Sequence, residues 1–152
     1  KIVPFNANAA KAIAQQALYA APTKGFTEEV YKIYPKADND GNATAVLVNA
    51  EADRGVTVRW PLAQLPYLTQ WKNTAAENTG YVTGIEPGTG FPHNRSYERK
   101  YGRGPKLGAG ESRMFELEFA ILANAGEVKA AAAAVKELQG DKVPEVQKAP
   151  EE

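Results

Sequence analysis

The chain has 152 residues and a mass of 16.4 kDa, with 43% hydrophobic and 24% charged residues, which is typical of a folded globular domain. Eighteen basic residues balance eighteen acidic ones, so no global attraction to nucleic acid or to an anionic membrane surface is expected. The absence of cysteine excludes disulfides, thiolate nucleophiles and Cys-ligated zinc. No apolar run approaches the roughly 20 residues that span a bilayer, so no membrane partner is predicted.

Helical segments are predicted on either side of a β-rich middle. Residues 8–21 are rich in alanine and glutamine and stop at Pro22, which predicts a short N-terminal helix. Residues 127–139 predict a second helix that ends at Gly140. The polar residues beyond it include two prolines and predict a loose tail.

Between the helices, short β-prone runs are separated by Gly, Pro, Asn and Asp. Asp40-Gly41 is a strong hairpin signal and predicts that the first two runs pair with each other. The DNDGN sequence around it also resembles a calcium loop, but it lacks the remaining ligands, so a turn is favoured. The runs predict an all-β, mainly antiparallel sandwich. They are residues 28–35, 43–49, 55–61, 65–73, 79–86 and 112–122.

Two of these runs alternate with a period of two. Val56, Val58 and Trp60 fall on one face of the third run, which predicts a half-buried strand with Trp60 in the core. In the last run, one face carries four apolar side chains: Phe115, Leu117, Phe119 and Ile121.

Glu86 is the candidate catalytic residue, because it ends an apolar strand and is followed at once by Pro87-Gly88. Burial at the end of a strand would raise the pKa of a carboxyl toward the range of a general base. The competing interpretation is a structural ion pair with a neighbouring arginine.

The turn after Glu86 would let a ligand approach the backbone, and aromatic and polar side chains follow it. The alternatives are that His93 is an ordinary loop residue, that Trp71 belongs to the core, and that the basic run after His93 is a solvated edge. Candidate contacts to a sugar ring, its hydroxyls or a phosphate are Trp71, Thr89, Phe91, His93, Asn94, Arg95 and Arg99, with Tyr97, Tyr101 and Arg103 as further members.

Three segments in order carry a family resemblance: LPYLTQWKN, YVTGIEPGTGFPHNRSYER and LGAGESRMFELEFAI. Together they resemble the C-terminal half of the aldose 1-epimerase (galactose mutarotase-like) family, especially its poorly characterised bacterial branch, over residues 25–122. The resemblance implies a β-sandwich and a reaction that needs no metal or cofactor. Glu86 matches the family's general base, which takes the anomeric proton while a histidine protonates the ring oxygen. Reclosure after rotation about C1–C2 gives the other anomer.

The resemblance also predicts a missing partner. The family's acid histidine and a second sugar-binding histidine lie in the preceding half of the fold, before any residue that corresponds to this chain. The chain starts at Lys1 and its only methionine is Met114, so we expect a fragment or one piece of a nicked protein that needs its N-terminal half. His93 is a less favoured substitute for the acid, because geometry must be met first.

We therefore divide the chain into residues 1–124, as the C-terminal half of a sandwich, and residues 125–152, as a helix and flexible tail. The predicted ligand is a hexose or a sugar phosphate, since the family's acidic residue at the position of His93 is absent and a basic run follows. The alternative function is a non-catalytic carbohydrate-binding or structural β-sandwich. A bacterial protein, periplasmic or cytoplasmic with a lean to the periplasm, is expected.

Overall fold

A computed structural model describes residues 1–151, which form two facing antiparallel sheets with a few short helices and a longer C-terminal helix, as the alternating runs predict. The first sheet has the order β1-β2-β5-β6. Its strands are β1 (Ile2–Pro4), β2 (Glu29–Ile33), β5 (Tyr67–Thr74) and β6 (Tyr81–Gly88).

The second sheet has the order β3-β4-β7. Its strands are β3 (Asn42–Val48), β4 (Gly55–Pro61) and β7 (Glu118–Leu122). The helices are α1 (Ala7–Lys11), α2 (Arg95–Lys100) and α3 (Ala125–Gln139), with 3₁₀ turns at Ile13–Gln15 and Glu77–Thr79.

The core lies between the sheets and is centred on Trp60, which is 1% exposed. Its indole Nε1 donates to the carbonyl of Leu65 at 2.9 Å, so the polar atom of this buried ring is satisfied. Leu68 and Ile85 reach the core from the first sheet. We call the face of the first sheet that carries them the inner face, and the opposite face the outer face.

The predicted hairpin between β2 and β3 is wrong, although the turn itself forms. The Asp38 carboxylate accepts from the backbone N–H groups of Asp40 and Asn42 at 3.0 and 2.8 Å, and Gly41 has a φ of 83°. The turn leads the chain from one sheet to the other. β2 pairs with β1, which precedes it in the chain, and with β5, whereas β3 pairs with β4.

The predicted helix over residues 8–21 is also shorter than expected. α1 ends at Lys11, and a 3₁₀ turn follows. The carbonyl of Gln15 accepts from Lys72 Nζ, and that of Gln16 accepts from Gln70 Nε2, each at 3.2 Å. Polar side chains of β5 thus take up carbonyls that a longer helix would have used.

Two predictions near the C-terminal end need correction. The strand predicted over residues 112–122 is paired only from Glu118, because β4, its partner, ends at Pro61, which has no N–H to donate. The tail after α3 is not loose throughout. Ile2 N donates to the carbonyl of Glu145 at 2.8 Å, and Gln147 N donates to the carbonyl of Ile2 at 3.0 Å.

The helix predicted over residues 127–139 is confirmed as α3, which ends before Gly140. No helix in residues 1–151 has the length and hydrophobicity to cross a membrane.

Candidate functional site

Glu86 lies on the outer face of the first sheet, in a row of residues that run directly across four strands. Val3 is opposite Lys32, Lys32 is opposite Thr69, and Thr69 is opposite Glu86. Directly opposite residues of antiparallel strands point to the same face. Lys32 and Glu86 therefore share a surface and are two strand spacings apart, which is about 10 Å.

The Glu86 carboxylate is exposed, so the partial burial predicted for it is wrong as far as residues 1–151 are concerned. The predicted alternative, an arginine partner, is also wrong: within residues 1–151 no side chain forms an ion pair or a hydrogen bond with this carboxylate. The side chain lies back over Gly84, where a Cβ atom would approach Glu86 Oε1 within 2.1 Å. The glycine provides the space that the carboxylate occupies.

Trp71 shares the outer face with Glu86 and is half-buried, directly opposite Gly84. Its Nε1 donates to Glu28 Oε2 at 2.7 Å, which fixes the plane of the indole ring beside the candidate base. Thr89 follows β6 in the loop and is half-buried, with its carbonyl accepting from Gly104 N at 3.2 Å. Of the predicted binding residues, Trp71 is the one whose strand register brings it next to Glu86.

Phe91 is a buried member of an aromatic cluster. Its ring lies 5.2 Å from that of Tyr34 and 4.8 Å from that of Tyr67, while Lys32 Nζ lies 5.8 Å from its centroid. Because Phe91 is only 5% exposed, its ring faces are occupied by protein. The ring therefore forms a wall of the outer face near Lys32 and offers no open stacking platform.

His93 is half-buried between two aromatic rings. Its imidazole stacks on Tyr97 with centroids 4.0 Å apart and meets Phe5 at 4.7 Å. Burial, followed by the charge of Lys32, lowers the pKa of His93 below its ordinary value of 6.5. The buried Nε2 atom has no hydrogen-bond partner among the described residues.

Three further predicted residues, Asn94, Arg95 and Arg99, lie on or beside α2. Asn94 is its N-cap, with Oδ1 accepting from Tyr97 N at 2.9 Å and from Ser96 Oγ at 2.7 Å. Asn94 therefore serves the helix, as Asn commonly does at this position. Arg95 and Arg99 are exposed on the helix.

A buried ion pair between Glu98 and Arg103 holds the loop that contains these residues. Arg103 Nε and Nη2 donate to Glu98 Oε2 and Oε1 at 2.7 and 2.9 Å, and Phe91 N donates to Oε2 at 2.9 Å. Burial raises the pKa of Glu98, but these hydrogen bonds outweigh it and hold that pKa below its usual range. We call residues 89–104 the clamp loop. The Glu-x₄-Arg spacing is the sequence pattern that could have indicated this ion pair.

Lys32 was not singled out from the sequence, although it is 1% exposed and central to the outer face. Its Nζ donates to Glu151 Oε2 at 2.8 Å. A lysine inside the apolar run VYKIY was the signal, because alternation puts it on the face opposite Tyr31 and Ile33. Its partner is 119 residues away and could not be read from the sequence.

A cavity of ≈ 1470 Å³ lies on the other side of the first sheet from Glu86. It is lined by inner-face side chains that include Ile33, Leu68 and Ile85, by Trp60 of the second sheet, and by α3. Because its walls are largely the apolar interiors of the two sheets, we interpret it as incompletely filled sandwich core. It does not contain the candidate base.

Residues 1–121 match the family model of a domain of unknown function (DUF4432). Among solved structures, the chain matches a protein from Klebsiella pneumoniae subsp. pneumoniae, described as a "putative aldose 1-epimerase", with a TM-score of 0.89 and 38% sequence identity. The match covers 99% of this chain and 38% of that protein, so the chain spans well under half the length of this relative. No curated protein matches the sequence.

Proposed function

The chain belongs to the DUF4432 family of domains of unknown function, and we propose that it contributes the general base to an enzyme that interconverts the anomers of a sugar. One observation carries this proposal: the chain matches the Klebsiella relative at 38% identity and a TM-score of 0.89 over 99% of its length. The aldose 1-epimerase description of that relative is consistent with the resemblance of the segment around Glu86. The reaction is proposed for the complete protein.

Glu86 acts as the base in this proposal. Its exposed carboxylate, free of ion-pair partners within residues 1–151, can accept the proton of the anomeric hydroxyl and return it to the other anomer. Trp71, held by Glu28 on the same sheet face, supplies an apolar surface for the sugar ring. A sugar bound over this face would displace water from Glu86 and so supply the desolvation that residues 1–151 alone do not.

The acid that protonates the ring oxygen is proposed to come from the polypeptide that completes the fold. His93 is the one histidine of the chain, and its ring is stacked on Tyr97 and against Phe5. Proton donation to a ring oxygen requires an imidazole nitrogen within hydrogen-bonding reach of the sugar. The stacked position of His93 in the clamp loop favours a structural role.

The test is to measure α/β exchange of free hexoses by NMR exchange spectroscopy or polarimetry with the complete protein. The protein is expected to accelerate exchange, and Glu86→Gln is expected to abolish the acceleration while sugar binding persists, because glutamine keeps the shape but cannot take a proton. Glu77→Gln is a matched control, since Glu77 is an exposed glutamate of the turn that precedes β6. It should leave exchange unchanged.

A non-catalytic sugar-binding or structural sandwich is the second candidate. The observation that favours it is that two predicted sugar contacts serve the fold: Asn94 caps α2 and Phe91 is buried. In that case the complete protein would not accelerate exchange, and any sugar affinity would be insensitive to Glu86→Gln. Unchanged exchange in the Glu86 variant would reject the role assigned to this residue.

A further inference from the structure

The carboxylate of Glu151 lies on the outer face of the first sheet, in contact with two lysines. Lys32 Nζ donates to Oε2 at 2.8 Å and Lys1 Nζ donates to Oε1 at 3.2 Å. The Lys32 side chain is almost fully buried beneath this contact. A buried ammonium group needs an anionic partner, and within residues 1–151 Glu151 is the one that Lys32 has.

Aromatic rings lie beside the two lysines that hold this carboxylate. Phe91 lies beside Lys32, and Tyr34 lies beside Lys1, in each case with Nζ 5.8 Å from the ring centroid. Burial raises the pKa of Glu151, but hydrogen bonds from Lys32 and Lys1 outweigh it and hold that pKa below the usual range. An anion is therefore strongly favoured at this position. We call the pocket formed by Lys1, Lys32, Tyr34 and Phe91 the lysine pocket.

The lysine pocket and the candidate base share one surface. Lys32, Thr69 and Glu86 are directly opposite one another on three adjacent strands, so their Cα atoms span about 10 Å. Lys32 lies toward the β1 edge of this row, and Glu86 lies on β6 at the other edge. One monosaccharide with an anionic substituent can span such a row.

The segment after α3, which carries Glu151, is weakly attached to the rest of the protein. After α3 the backbone is held at Ile2 by two hydrogen bonds, from Ile2 N to Glu145 O and from Gln147 N to Ile2 O. The apolar side chains of Val143 and Val146 remain exposed, so they contribute little to holding the tail. Glu151 can therefore leave the lysine pocket without disturbing a strand of the first sheet other than the short β1.

We propose that the lysine pocket is a binding subsite for the phosphate or carboxylate group of an acidic sugar, and that Glu151 occupies it until such a ligand takes its place. This inference rests on the proposed function, because the rest of the sugar would lie over Thr69 and Trp71 toward Glu86. A neutral hexose has no group that can replace Glu151 on Lys32. The complete protein should therefore prefer a hexose 6-phosphate or a hexuronate to the parent hexose.

Isothermal titration calorimetry of the complete protein with glucose, glucose 6-phosphate and glucuronate tests this inference. A tethered carboxylate competes at an effective concentration in the millimolar range, so Glu151→Gln should tighten binding of an acidic sugar by about tenfold. Glucose affinity should stay unchanged. The phosphate and carboxylate arms identify which acidic group the pocket accepts.

Glu145→Gln is the matched control on the same tail, because Glu145 lies 3.7 Å from Lys1 and does not contact Lys32. It should change none of the three affinities by more than about twofold. The double variant Lys32→Met/Glu151→Met removes both charges together, which a fold tolerates better than the loss of one partner. It should lose the preference for acidic sugars over glucose.

The inference is overturned if acidic sugars bind no more tightly than glucose, or if Glu151→Gln alters all three affinities equally. These outcomes are separable from failure of the proposed reaction, because they are read from binding alone. Glu86→Gln that retains α/β exchange would reject the catalytic role while the preference for acidic sugars could still be measured. Loss of exchange in Glu86→Gln without any acidic preference would reject the lysine pocket alone.

Discussion

Two glycines of the candidate site face glutamate carboxylates, and they differ in whether the carboxylate can move. A Cβ atom at Gly84 would approach Glu86 Oε1 within 2.1 Å, and one at Gly90 would approach Glu98 Oε2 within 2.5 Å. Glu86 is exposed and unpaired within residues 1–151, whereas Glu98 is held by Arg103 and by Phe91 N. The same methyl group should therefore have different consequences at the two positions.

Gly84→Ala is expected to displace the Glu86 carboxylate with little loss of stability. The end of a flexible, exposed side chain can rotate away, so the free energy of unfolding should change by less than about 1 kcal/mol. Sugar exchange by the complete protein should fall, because the base leaves its position. Activity equal to that of the unmodified protein, measured by polarimetry, would contradict the assigned position of Glu86.

Gly90→Ala is expected to lower the free energy of unfolding by about 1–3 kcal/mol, since the locked Glu98 cannot retreat without losing hydrogen bonds. Urea unfolding followed by circular dichroism measures this difference. Gly84→Ala serves as the matched control, as both substitutions add one methyl group beside a carboxylate. Equal stability of the two variants would mean that the Glu98–Arg103 pair is not rigid.

Two substitutions of Asn94 can distinguish a structural role of this side chain from a sugar-binding role. Serine also caps helices, so Asn94→Ser should keep the stability of the protein, whereas Asn94→Ala should lower it by about 0.5–2 kcal/mol. Sugar affinity should be the same in both variants, because the amide is used by Tyr97 N and Ser96 Oγ. A loss of sugar affinity in Asn94→Ser at unchanged stability would restore the predicted binding role.

At the scale of elements, the clamp loop that follows β6 contains titratable groups whose protonation affects the stability of the protein. His93 has a lowered pKa, so the unfolded chain binds its proton more readily than the folded chain. The charged groups around His93 are Lys32, Arg103, Glu98 and Glu151. Stability contributed by neutral His93 is complete above the ordinary pKa of 6.5 and declines as pH falls below it.

Stability of the protein is therefore expected to fall between about pH 6.5 and pH 5, before most carboxylates titrate. His93 is the one histidine, so His93→Gln should flatten the dependence of the urea midpoint on pH in this window. A second decline below about pH 4.5 should persist in His93→Gln, because Glu98 has a lowered folded pKa and loses its ion pair as it is protonated. An identical slope between pH 6.5 and 5 in both proteins would contradict the burial of the imidazole.

The same loop illustrates the limits of local sequence patterns. The turn residues after Glu86 and the helix-capping Asn94 are local signals, and sequence patterns can predict that a turn and a polar surface follow β6. Which side chains point inward was not predictable. Glu98 belongs to a run that resembles a solvated charged edge, yet it is 6% exposed because Arg103 and Phe91 N satisfy it.

At the scale of the whole molecule, the core-lining face of the second sheet is left uncovered at its β7 edge. Phe119 and Ile121 of β7 lie opposite Val58 and Val56 and share their face, but they are 72% and 81% exposed. Val58 by contrast is buried. Exposed apolar surface that continues a core marks a contact site, and the chain matches only 38% of its longer relative. This face is therefore where the predicted N-terminal half of the complete protein would be expected to pack.

The 152-residue chain alone is therefore expected to self-associate through β7, and Phe119→Lys/Ile121→Lys should shift it toward monomer in analytical ultracentrifugation. In the complete protein, the same substitutions should lower the free energy of unfolding by more than about 2 kcal/mol, because unpaired charges would be buried. A monomeric, well-folded chain without substitutions, or an unaffected complete protein, would mean that the face is naturally exposed.

Sequence alone determined where most strands lie, where α3 ends and that Trp60 is in the core, because alternation and turn chemistry act between residues close in the chain. Only the tertiary structure decided that β2 and β3 belong to different sheets, that Glu86 has no arginine partner within residues 1–151, and that Lys32 meets Glu151 across 119 positions. The physical reason is that the hydrogen-bonding groups of a strand, and a buried charge, can pair with any suitable partner that folding brings near. Local sequence patterns do not specify that partner.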